Sequence, residues 1–225
     1  MSEIKERPVL FSAPMVRAIL EGRKTVTRRP VKVQPRSKAD IGSYGLGQPF
    51  IRNPDVSKAN PSCPYGRPGD RLWVRETWYC DHDEVQRGPY LQPADMTDLD
   101  EARKNGDLVY AADGLTPYEQ DQPKWKPSIH TPRWASRILL EITDVRVERL
   151  QDISDEQALA EGIIPHVRGG WHWHPHDPAN VDDWHQFGFK TPFWAFHDLW
   201  AGINGQENWD ANPWTWVVEF KQVTP

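Results

Sequence analysis

The chain has little cysteine. Cys63 and Cys80 are its only two, and neither belongs to a CxxC pair; a disulfide framework is excluded and two free thiols are expected. It has no apolar run long enough to span a bilayer, and its N-terminus lacks the basic start and apolar stretch of a secretory signal. A soluble, cytoplasmic protein with no membrane partner is expected. Internal repeats and heptads are missing too. An excess of positive charge is also absent: the net charge of −5 argues against a protein that coats long nucleic acid by neutralising phosphates.

Proline and tryptophan are plentiful, at 21 and 12 residues, while hydrophobic residues make up only 38% of the 225. That balance predicts one modest core wrapped in ordered, Pro-punctuated loops, because disordered chains are poor in aromatics. Charge is also unevenly spread. Residues 1–40 hold ten Lys/Arg against four acids, a basic patch on an acidic body that suits a compact ligand or a short nucleic-acid segment.

The pattern predicts a first strand over 8–11, then a helix started by Pro14 in which Met15, Val16, Ile19 and Leu20 recur at helical spacing and which Gly22 ends. Thr25-Val26-Thr27 restarts the chain as a strand. Residues 34–66 read as a long surface loop. The turn Arg67-Pro68-Gly69-Asp70 feeds a strand over 72–78, on which Glu76 shares a face with Val74 and Trp78 and Arg75 points the other way. After another irregular stretch, a short strand is expected over 108–111. Residues 137–149 form the strongest β segment; its apolar phase slips at Thr143-Asp144, which predicts a bulge. Ser154-Asp155-Glu156-Gln157 is a capping box opening a helix that Gly162 closes. Residues 165–190 are irregular and rich in His and Trp. A last helix starts at Thr191-Pro192 with Phe193, Phe196, Trp200 and Ile203 on one face, and residues 214–223 alternate as a closing strand. Few helices and many short strands point to an α+β, small barrel-like domain rather than a doubly wound sheet.

Five groups of residues bear chemistry. Lys24 and Thr27 lie at a helix-to-strand joint crowded with Arg23, Arg28 and Arg29. Partly buried among like charges, such a lysine has a depressed pKa and serves as a general base; the alternative is a solvated basic strand edge. Glu161 falls near a helix C-terminus, where the dipole disfavours a carboxylate; it is either a partner of that lysine or simply exposed. The loop from Trp125 to Arg137 carries Ser128, His130, Arg133 and Trp134. It either stacks a base and grips a phosphate or forms an aromatic plug. Trp171-His172-Trp173-His174-Pro175-His176 lacks a Cys or acidic partner at a recognised metal spacing, so a local Trp/His loop is expected rather than a zinc site. A carboxylate at Glu76, on an aromatic face, is either paired or functional.

The string Gly22-Arg23-Lys24-Thr25-Val26-Thr27, the turn and strand Pro68-Gly69-Asp70-Arg71-Leu72-Trp73-Val74 and the closing Val217-Val218-Glu219-Phe220-Lys221 resemble the ASCH-domain family. That resemblance implies a PUA-like β-barrel related to RNA-binding modules, here with flanking helices and insertions at about 34–66, 80–107 and 165–190 in one domain spanning the chain. Small bacterial N4-acetylcytidine amidohydrolases of that family carry the same Gly-Arg-Lys-Thr-x-Thr string. Their catalytic lysine and threonine fall on Lys24 and Thr27, and their glutamate is best matched by Glu161. The segment from Trp125 to Arg137 resembles a larger subgroup common in phages and prophages. Arg28-Arg29 departs from the pattern by adding charge.

The resemblance therefore implies hydrolysis of an acyl amide on a modified nucleoside, without a cofactor or metal. Lys24 would be the general base, Thr27 or a water the nucleophile, and Glu161 the acid for the leaving nitrogen. Arg23, Arg28, Arg29, Arg75, Glu76, Trp78, Ser128, His130, Arg133, Trp134 and Arg137 would bind the substrate. A non-catalytic reader of RNA or a modified base is the alternative. A ribonuclease using His130, a phage DNA-modification accessory and a virion-assembly role are further options.

Overall fold

The computed structural model describes residues 3–45, 47–114, 124–176 and 187–224. In chain order the elements are β1 (Glu6–Leu10), α1 (Ala13–Leu20), β2 (Val26–Pro30), β3 (Ile41–Ser43), β4 (Pro49–Ile51), β5 (Arg71–Arg75), β6 (Trp78–Cys80), α2 (Asp83–Gln86), α3 (Leu99–Asn105) and β7 (Leu108–Tyr110). There follow β8 (Leu139–Arg149), α4 (Asp155–Ala160), β9 (Ile164–Pro165), β10 (Trp171–His172), α5 (Pro192–Asn204), α6 (Gln206–Asp210) and β11 (Trp214–Val223).

The architecture is α+β. Its central sheet has the order β1-β5-β8-β11-β2. β1 and β5 run parallel, whereas β5–β8, β8–β11 and β11–β2 are antiparallel. β8 and β11 are the longest strands because both alternate apolar residues over their length, and they bury Leu140, Ile142, Val145, Val218 and Phe220 in the main core. The slip expected at Thr143-Asp144 is present: Glu219 pairs with Asp144 and Phe220 with Ile142, leaving Thr143 unmatched. The end strands β1 and β2 approach each other, for Arg29 Nη2 on β2 donates to the Leu10 carbonyl on β1 at 2.6 Å.

α1 and α4 form as their sequences predict. Pro14 lies in the first turn of α1, and Gly22 beyond its end takes φ 73°. α4 has the complete Ser154/Gln157 capping box. A second apolar cluster, including Ala158, Ala195, Phe196, Leu199, Trp200 and Trp209, joins α4, α5 and α6. A third gathers Trp78, Cys80, Tyr110 and Ala135, with Trp134 and Tyr90 packed against it. No helix among the described residues is long and apolar enough to cross a membrane.

The structure corrects several expectations. Residues 34–66 contain a hairpin, β3–β4, closed by the stacked Tyr44 and Phe50 rings at 4.3 Å; three-residue strands are too short to show a period. Residues 80–107 hold α2 and α3, the latter capped by Asp98, which accepts from the amides of Asp100 and Glu101. With Leu99 and Ala102 as its only apolar residues, α3 left no periodic signal. The strand expected over 72–78 is two strands. β5 ends at Arg75, and Trp78 belongs to β6, which pairs with β7. Glu76 is thus freed from the sheet to meet Arg137, so it does not share a strand face with Val74 and Trp78. On α5 the buried face runs through Ala195, Phe196, Leu199 and Trp200, and Ile203 is exposed. The 165–190 segment contains the short β9–β10 pair; its residues 177–186 lie outside the described residues.

Candidate active site

The site forms where the C-terminal ends of α1 and α4 meet. The Arg23 and Lys24 amides both donate to the Ala18 carbonyl at 2.9 Å, wrapping the chain around the end of α1. The Thr25 amide then donates to the Ala160 carbonyl at 2.9 Å, stitching this turn to α4. Gly162 permits the approach. Its φ is 104°, and a Cβ there would lie 3.0 Å from the Ala18 Cβ and 3.4 Å from the Lys24 Cβ. Arg23 locks the joint from outside, donating to the Gly162 carbonyl at 3.0 Å and to Glu21 at 2.6 Å.

This packing brings Lys24 and Glu161, 137 residues apart in sequence, to 2.6 Å between Nζ and Oε2. Lys24 Nζ also donates to the carbonyls of Val26 at 2.8 Å and Glu161 at 2.9 Å. Three acceptors match the three N–H donors of an ammonium. Burial holds the Lys24 pKa below its ordinary 10.5; the Glu161 carboxylate opposes that shift, while Arg29 and Arg28 add to it. The other Glu161 oxygen accepts from Arg28 Nη1 at 3.2 Å. Two cations thus offset the unfavourable placement of a buried carboxylate at a helix C-terminus.

Arg28 is itself divided. Its Nη2 donates to Glu148 Oε2 on β8 at 3.2 Å. Glu148 in turn accepts from Arg146 Nε at 2.6 Å, and Arg146 Nη1 bonds Asp144 at 3.0 Å and also Glu219. The sheet register explains this chain: Val217 pairs with Arg28 on one side and Arg146 on the other, so both guanidinium groups leave the same sheet face. Sequence reasoning missed Glu148 and Arg146. The i, i+2 run Asp144, Arg146, Glu148 on a strand was the available signal.

A cavity of about 60 Å³ adjoins the cluster, lined by Met15 of α1, Thr27 to Pro30 of β2, Glu161, and Phe196, Leu199, Trp200, Ile203 and Asn204 of α5. The Lys24 and Arg28 side chains are wholly inaccessible, whereas the Glu161 side chain keeps 4% exposure. Thr27 is buried, and its hydroxyl forms no hydrogen bond among the described residues. Glu161 and Thr27 therefore both line the space, and Lys24 is sealed from it. Small-molecule pockets usually enclose a few hundred Å³, so this cavity admits a small group and not a whole nucleoside. The contribution of α5 through Leu199 and Asn204 was not foreseen.

The remaining expected binding residues lie elsewhere. Glu76 is buried and held by Arg137 through two bonds, at 2.9 and 3.0 Å, while Arg137 also clamps Asp113 and covers the Tyr110 ring at 4.0 Å. Arg75 lies over Trp73 and donates to the Ile129 carbonyl. Arg133 pairs with Glu6 at 3.0 Å. Trp134 meets Trp78 edge-on and donates from Nε1 to the Tyr90 carbonyl at 2.9 Å, fixed as part of the third apolar cluster. Ser128 and His130 sit on a short 3₁₀ turn, with His130 exposed beside Tyr90. None of these, nor Arg23, lines the cavity.

His166, His172, His174 and His176 do gather, with ring centroids 4.0–5.7 Å apart. Nδ1 of His166 accepts the Arg168 amide, and Nδ1 of His172 accepts the amides of Trp173 and His174. Those nitrogens are engaged by the backbone, and no group of three or more His, Cys, Asp or Glu among the described residues is arranged to hold a metal ion. Cys63 and Cys80 are buried free thiols, pushed up by desolvation to about 11 and about 12.

No family model matches this chain, and no curated protein and no solved structure is significantly similar to it.

Proposed function

We propose that the Glu161–Thr27 cavity hydrolyses an acyl amide on a modified nucleoside such as N4-acetylcytidine, on a PUA-like barrel of the ASCH type. The observation that carries this reading is the buried contact between Lys24 and Glu161 at a cavity that Glu161 and Thr27 both line. The barrel assignment draws support from the bridge between the two end strands, together with Phe11 packed against Phe220 and under Lys24 and Arg29.

The geometry favours a different division of labour from the one the resemblance implies. Lys24 is sealed and all its donors are engaged, so it is a positioning residue that holds the Glu161 carboxylate in place. Glu161, which borders the cavity, is the proton-handling group. Its carboxylate takes a proton from the Thr27 hydroxyl or a water as that oxygen attacks the acyl carbonyl. It then returns the proton to the leaving nitrogen as the C–N bond breaks, releasing the free amine. Where water attacks, the acid forms in the same step; where Thr27 attacks, a water then hydrolyses the acyl ester left on its oxygen, giving the acid and restoring the hydroxyl. A volume of about 60 Å³ suits the acyl group, with the nucleoside left outside.

Purified protein incubated with N4-acetylcytidine and analysed by mass spectrometry tests this. Cytidine should appear, and Glu161→Gln should slow its release by about 10²-fold or more. Undiminished turnover in Glu161→Gln would refute the mechanism. Salt-sensitive binding of modified RNA without turnover would replace it with the reader function, which the sealed Lys24 and small cavity also favour.

A further inference from the structure

We propose that Glu148 is a positioning residue for this site: shared between Arg28 and Arg146, it fixes how Arg28 is divided between two carboxylates, and thereby how Glu161 is held against Lys24. The groups form an unbroken alternation, Lys24, Glu161, Arg28, Glu148, Arg146, with Glu219 and Asp144 at its outer end. Lys24 and Arg28 are inaccessible and Glu161 nearly so, while the Glu148 and Arg146 side chains are 24% and 28% exposed. The chain thus runs from solvent to the sealed lysine.

Each link is single. Arg28 gives one terminal nitrogen to Glu161 and the other to Glu148, both at 3.2 Å. A guanidinium without Glu148 is free to turn both nitrogens onto Glu161, the preferred fork geometry, and so weaken the hold of Lys24. Arg146 restrains Glu148 from the far side. It uses Nε for Glu148 and Nη1 for Asp144 and Glu219, a division that a lysine cannot reproduce.

The other neighbours of Glu161 leave the sign of the effect clear. From the segment entering β2 it is bonded to Lys24 and Arg28, and Arg29 acts on Lys24. Gln157 of α4 reaches Glu148 at 3.5 Å. From α5 the cavity receives Phe196, Leu199, Trp200 and Asn204, none of them titratable. Arg23 is engaged with Glu21 and the Gly162 carbonyl.

The proposal rests on reading Glu161 as the working carboxylate, but its test needs no substrate, so the two can fail separately. In protein labelled with 13C at the glutamate carboxyls, Glu161 is assigned by its loss in Glu161→Gln, and its titration is followed by NMR. Glu148→Gln should move the Glu161 midpoint down by about half a unit, since a negative neighbour is lost and Arg28 turns inward. Arg146→Lys should move it up although the charge is kept, because Glu148 is released to draw Arg28 away. Glu148→Asp should fall between wild type and Glu148→Gln, which covers the case of a Gln variant that fails to fold. Unmoved midpoints in Glu148→Gln and Glu148→Asp, or an Arg146→Lys value equal to wild type, would overturn the proposal. Shifts of one sign in all variants would do the same, since they report general loosening.

Discussion

Replacing Lys24 with methionine isolates what the sealed ammonium does. Methionine keeps most of the side-chain volume, so the change removes charge and donors rather than packing. Glu161 would retain only Arg28, at 3.2 Å, and the Val26 and Glu161 carbonyls would lose their 2.8 and 2.9 Å donors. Removing one partner of a buried pair costs about 3–5 kcal/mol, because the other charge stays buried. For a chain of this size about 1 kcal/mol shifts the melting temperature by about 2–4 °C, so the variant should melt about 10 °C below wild type. Adding Glu161→Gln removes the stranded charge. The double variant should therefore be more stable than the sum of the single changes by about 2 kcal/mol. Thermal and urea unfolding followed by circular dichroism would measure both effects. A Lys24→Met protein within about 1 kcal/mol of wild type, or strictly additive changes, would refute the claim that the pair is tightly coupled.

Two further outcomes concern the surroundings. Asp70 is pushed up by burial, but the Arg7 guanidinium and the amides of Lys5 and Arg67 outweigh this and hold it below its ordinary 3.8. A depressed carboxylate stabilises the fold above its unfolded pKa, and that contribution is lost as pH falls through the folded one; Asp70→Asn should therefore flatten the acid limb of a melting-temperature profile, and an unchanged limb would count against this account. Arg137→Met strands the buried Glu76 and should cost about 3–5 kcal/mol, yet leave the Glu161 NMR titration where it is in wild type; a displaced midpoint would show that the two charge clusters are coupled.

Much of the scaffold was legible because local chemistry dictates it. The Ser154 capping box, the glycine after α1, the long alternation of β8 and its phase slip each depend on neighbours within one turn or one strand pair. β3–β4, α2, α3 and α6 were not legible, since these short elements carry too few apolar residues to mark a face. The break at Glu76 was hidden for another reason. Periodicity records which positions are apolar, and the chain leaves the sheet there because a buried carboxylate finds Arg137 sixty-one residues away.

The sequence by itself determined that Lys24, Thr27, Arg28 and Arg29 stand at a helix-to-strand joint and that Glu161 falls near the end of a capped helix, because both depend on nearest-neighbour geometry. Tertiary structure alone decided that α1 and α4 meet end to end through Gly162. It also decided that Glu148 shares Arg28 across β11, and that the arginines and aromatics of the 125–137 loop serve other clusters. These outcomes depend on sheet order and helix docking, which bring distant charges within hydrogen-bonding reach. Burial then settles their pairing, since a charge removed from water must find a partner.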